Sequence, residues 1–99
     1  MYFITGFTKY EIDEKTHVPN IRSSRTFGYY MSASDAKRAV KHNSCDIFES
    51  MYDYVVIEHI EEGLYQLASG RLFFKWNHEK QQYEEIEPIK DCWGNYAFG

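Results

Sequence analysis

Glu58, His59, Glu61 and Glu62 form the densest run of groups able to do chemistry in this chain. A histidine beside carboxylates serves as a general base or as a metal ligand. These residues close a segment, YDYVVIEHI (52–60), that reads as a strand, and on a strand Glu58 and His59 point to opposite faces. Only His59 and Glu61 share a side. A preformed site needs converging groups, so the expectation here is a solvated strand end. The other histidines, His17, His42 and His78, supply no i, i+4 pair, and Cys45 and Cys92 belong to no Cys-x-x-Cys unit. A closed zinc site drawn from both cysteines and two histidines lacks the short paired spacing such sites use. Cys45 follows Ser44 and lies three residues after His42, a setting that can activate a thiol. A free cysteine is more commonly a small buried hydrophobe. Neither a Gly-x-Ser-x-Gly elbow nor a Gly-rich phosphate loop is present. The expectation is a non-enzyme with no catalytic residue, no cofactor and no metal.

Aromatic residues are the compositional outlier: nine Tyr, seven Phe and two Trp make up 18% of the chain. Rings such as Phe73, Phe74, Trp76 and Tyr83 can stack nucleic-acid bases if they line an open sheet face. Lys37, Arg38 and Lys41, joined by Arg22 and Arg25, can supply a basic patch. The charge distribution argues against that use. Residues 1–43 carry a net +3 and residues 44–99 a net −7, and the aromatic strands lie in the acidic part, beside Glu84, Glu85 and Glu87. Phosphate binding runs on many cationic contacts. The eleven acids after Asn43 also permit nucleic-acid mimicry, although a solvated acidic face accounts for them. Protein binding suits the inventory best, because Tyr and Trp offer rigid area with a polar tip. Tyr10, Tyr29, Tyr65, Trp93 and Tyr96 are the candidate interface residues, for an unidentified protein partner or a second copy. The alternative for the same tyrosines is the core margin, with their hydroxyls in water.

The elements that must position these residues follow from periodicity. MYFITGF alternates and predicts an opening strand. EIDEKTHVPN (11–20) reads as a hairpin loop, and RTFGYYM (25–31) as a second strand, with Gly28 marking a bulge or a close backbone approach. Ala33, Ala36, Val40 and Asn43 fall at helical spacing, with Ala39 widening the stripe. Ser32 or Ser34 is the N-cap, Asp35 lies in the first turn, and Asn43-Ser44 is the stop. CDIFES (45–50) fits one further turn. The run Val55-Val56-Ile57 suits a central strand. LYQLASG reads as a connection. RLFFKWN (71–77) and QQYEEIE (81–87) flank HEK as a hairpin, and the tail CWGNYAFG is apolar enough to dock as a sixth strand. The predicted fold is a single α+β domain. An antiparallel sheet of five or six strands carries one helix on one face, in the order β-β-α-β-β-β.

The segments MYFITGF, RTFGYY, CDIFES with YDYVVIEHIEEGLY, FFKWN, YEEIEP and the terminal NYAFG resemble a group of small proteins. The group is common in intestinal anaerobic Firmicutes and in their phages and mobile elements. The resemblance covers most of the chain, with the blocks in the same order. It implies a bacterial cytoplasmic protein accessory to a mobile element, and brings no activity, cofactor or catalytic residue. The remaining bulk properties agree with one small domain. The chain has 99 residues and a net charge of −4, with no apolar run long enough to cross a bilayer and no basic leader ahead of an apolar core. Two cysteines are too few for a disulfide framework, and both are expected to be free thiols.

Overall fold

A computed structural model describes residues 1–7, 10–12, 19–21, 24–43, 52–63 and 68–87, with only the backbone of 10–12 and 19–21. The alternating opening segment forms β1 (Tyr2–Phe7), and its return forms β4 (Ser24–Tyr30). Between them, β2 (Tyr10–Ile12) and β3 (Pro19–Ile21) pair as a separate two-stranded ribbon, Tyr10 opposite Ile21 and Ile12 opposite Pro19. The loop expected over 11–20 is therefore partly ordered as strand. Its ends carry Tyr10, Ile12 and Ile21, residues that favour extended backbone.

Helix α1 spans Ala33–Lys41. Ser32 is the N-cap by backbone geometry, and its carbonyl accepts from the Ala36 amide at 3.1 Å, but its side chain makes no capping hydrogen bond. Asn43 takes a left-handed φ of 50° and ends the helix at the expected stop. After it come β5 (Tyr54–His59), β6 (Gly70–Asn77) and β7 (Gln82–Ile86). In the β6–β7 turn the Asn77 side-chain oxygen accepts from the amides of Glu79 and Lys80, at 2.9 and 3.1 Å. That arrangement is an Asx-type closure.

All pairings are antiparallel, and the main sheet runs β4-β1-β5-β6-β7. β4 and β5 both oppose β1, so they are parallel to each other with β1 between them and α1 connecting them. The α+β class, the five-stranded antiparallel sheet and the single helix are as expected. The tail strand and the CDIFES turn fall outside the described residues.

The register sorts the side chains onto two faces. On the helix side, Ile4, Val55, Ile57, Phe74, Trp76 and Tyr83 pack with Ala36, Ala39 and Val40 of α1. The small residues of α1 let it approach the sheet closely. Gly6 makes room for two rings: a Cβ there would stand 3.0 Å from Phe27 and Tyr52, which meet edge to face. The Tyr83 hydroxyl donates to the Tyr52 carbonyl at 2.6 Å, and its ring meets Trp76 edge-on. On the opposite side, Phe7, Val56 and Phe73 form a second buried cluster, joined by Tyr54 and Ile86. Both faces of the sheet centre are thus closed to solvent.

Candidate functional site

Burial corrects the reading of Glu58 as part of a solvated strand end. Its carboxylate is fully enclosed on the face away from α1, and Arg71 Nε donates to Glu58 Oε2 at 3.0 Å. The two residues stand directly opposite each other on β5 and β6, where the register fixes the pair. Their partnership is structural, because a buried carboxylate has to be matched by a charge or by hydrogen bonds.

His59 faces the other way and is half-buried. Its ring stacks on Tyr2, with centroids 4.4 Å apart and 12° between planes. Its Nδ1 lies 2.9 Å from the Ser69 hydroxyl, and its Nε2 lies 3.9 Å from a Glu61 carboxylate oxygen. Sequence spacing gave no hint of Ser69, which arrives through the β5–β6 connection. The serine, imidazole and carboxylate stand in a row, but the alignment is poor for acyl transfer. The hydroxyl's one proton has two acceptors, Nδ1 and the His59 carbonyl at 3.3 Å. The carboxylate also sits beyond hydrogen-bond reach of the ring. The geometry suits a latch that ties the end of β5 to the start of β6. Among the described residues no three His, Cys, Asp or Glu side chains converge to hold a metal ion. Cys45 and Cys92 lie outside them.

The rings considered for base stacking divide between the two faces and are buried: Phe73 on one side, Phe74, Trp76 and Tyr83 on the other. They present no open platform. Of the basic residues, Arg38 and Lys41 are exposed and Lys37 is half-buried, and Arg38 Nη1 lies 3.4 Å from Asp35 Oδ1. In the acidic hairpin, a hydrogen bond from Lys80, helped by Asn77, holds the Glu84 carboxyl below the ordinary carboxylate value.

Among the described residues, the large apolar side chains left exposed gather at one edge. β4 is an outer strand, and among the described residues no strand pairs with its far side. Tyr29 is 55% exposed, Tyr30 39% and Met31 75%, and Met1, one position beyond the Tyr2–Tyr30 pair, is exposed as well. Tyr29 leans on Phe3 on the face away from α1, while Tyr30 points to the helix side. There a shallow hollow of about 160 Å³ opens between Tyr30, Asp35, Arg38 and Ala39. Further along the edge, the Arg25 guanidinium lies over the Phe27 ring at 5.2 Å. Of the five tyrosines and tryptophans singled out from sequence, Tyr29 belongs to this patch. Tyr10 sits in β2, with only its backbone described, and Tyr65, Trp93 and Tyr96 lie outside the described residues. Tyr30 and Met31 were missed, although the signal was present: YYM stands directly before a helix cap, where alternation no longer buries every second residue.

No family model, curated protein or solved structure matches the chain. No described helix is long and apolar enough to cross a membrane.

Proposed function

We propose that the chain is a non-catalytic protein-binding module whose contact surface is the outer edge of β4 with Met1, Tyr29, Tyr30 and Met31. The observation that carries this reading is the contrast in aromatic placement. Phe7, Phe73, Phe74, Trp76 and Tyr83 are enclosed, whereas large apolar side chains are left in water together at the end of one sheet edge. Several large apolar side chains exposed at one end of a small domain suit an interaction site, and the edge of β4, with no described strand on its far side, offers backbone donors and acceptors beside them. The resemblance to small proteins of intestinal Firmicutes and their mobile elements supports an accessory or inhibitory role for the contact.

Affinity capture from the source cell, with wild type and with the Tyr29→Glu/Met31→Glu variant, tests the proposal. Both positions are exposed, so the variant should melt within a few degrees of wild type. The expected result is a dominant protein retained by wild type and lost by the variant. Equal recovery of the same proteins by both overturns the reading.

A further inference from the structure

Resting on that reading, we infer that the segment this edge accepts is an extended acidic strand. It adds to β4 and aligns its carboxylates on the helix side, with Arg25 and with Arg38 beside the Tyr30 hollow. An edge strand recruits a partner strand through main-chain hydrogen bonds, and pockets along it choose alternate side chains. The two faces of this edge ask for different chemistry. Arg25, Phe27 and Tyr30 lie on the helix side, where Tyr30, Asp35, Arg38 and Ala39 line the hollow. On the other side, Tyr29 and Phe3 offer a ring surface with no charge. An incoming strand therefore meets two arginines against one aspartate on the helix face and uncharged rings on the other, an imbalance that favours alternating acidic and apolar residues.

Charge supports the same occupant. From Ser24 to Lys41 the chain carries Arg25, Lys37, Arg38 and Lys41 against Asp35, a net +3 in a protein whose total is −4. The Arg38–Asp35 contact is an exposed pair three residues apart on one helix. Such pairs exchange readily, and a guanidinium has five N–H donors, enough for a second carboxylate. Self-pairing is discouraged by the bulge at Phe27–Gly28, where the register with β1 skips a residue and interrupts a flat symmetric edge.

The test uses capped eight-residue peptides and the full chain, read by heteronuclear NMR titration. One probe alternates valine and glutamate, and a second alternates valine and lysine. Two more carry the glutamate sequence N-methylated on every second residue, one in each register, which removes the donors from one strand edge or the other. A single-stranded oligothymidylate completes the set. We expect the glutamate peptide to shift β4 amides and the lysine peptide to bind at least about tenfold more weakly. One N-methyl register should bind and the other should not. The Arg25→Gln/Arg38→Gln variant should reduce the glutamate peptide to the level of the lysine peptide. No binding of the glutamate peptide, equal binding of the lysine peptide, indifference to both N-methyl registers, or tighter binding of the oligonucleotide each overturns the inference. If any of these occurs while the Tyr29→Glu/Met31→Glu variant still loses its captured protein, strand addition by an acidic segment fails and the protein-binding reading stands.

Discussion

Arg71 has to reach across one strand spacing to neutralise a carboxylate that no solvent touches, and this makes Glu58 the most demanding residue in the sheet. Arg71 itself keeps 13% of its side-chain surface, so the pair sits at the border of the interior, with the carboxylate on the inner side. Removing the cation takes the arginine from a fully buried carboxylate, and breaking a buried pair costs far more than the pair gains over an apolar replacement. Arg71→Met should lower stability by about 3–5 kcal/mol. The Glu58→Gln/Arg71→Met double variant should recover a large part of that loss. Urea denaturation of wild type and both variants measures it. A single-variant loss no greater than that of the double would show that the charge is not what Arg71 is there to match.

At the scale of elements, β4 shows how much a sequence can state about a strand and where it stops. The glycine within RTFGYY reads as a bulge or a close backbone approach, and the register shows the first: Ile4 faces Gly28 while Thr5 faces Thr26, leaving Phe27 as the extra residue. Gly28 has φ of 156°, a conformation side chains rarely adopt, and a Cβ there would meet no atom within 4 Å. Substitution cost there is therefore backbone strain alone. Gly28→Ala should destabilise by about 1 kcal/mol, seen as a drop of several degrees in thermal midpoint. An unchanged or raised midpoint would mean that the bulge does not need glycine. The helix was equally legible, because three small buried residues at helical spacing leave little choice of face. Pairing was not. Glu58 looks like any charge at a strand end until β6 places Arg71 opposite it, and Ser69 reaches His59 only because the β5–β6 connection returns there. Local pattern fixes which residues share a face. The order of strands, and so the partner of each polar group, is set by contacts far apart in sequence. The exposed patch was half legible for a related reason: alternation assigns Tyr29 and Tyr30 to opposite faces, and only the position at an outer edge leaves both in water.

For the whole molecule, the deciding feature is a sheet buried on both faces at its centre with a helix described on one of them. Phe73 and Phe74 are adjacent in sequence, point in opposite directions and are almost equally enclosed, at 2% and 0% exposed. Phe74 belongs to the cluster under α1, while Phe73 packs with Phe7 and Val56 on the other side. A one-sided sheet would tolerate truncation of the outward ring, since surface substitutions cost little. A two-sided sheet pays the cavity cost on either face. Phe73→Ala and Phe74→Ala should therefore destabilise by similar amounts, about 3–5 kcal/mol each, against a total of about 5–15 kcal/mol for a domain of this kind. Both variants should keep a single cooperative transition, because β1, β5 and β6 contribute side chains to both clusters and neither face can open while the other stays closed. Chemical denaturation with an unchanged slope checks this. Should Phe73→Ala prove nearly neutral while Phe74→Ala is severe, the face away from the helix would be a working surface instead of core, and Phe3, Tyr54 and Lys75 on that side would become the residues to test for binding.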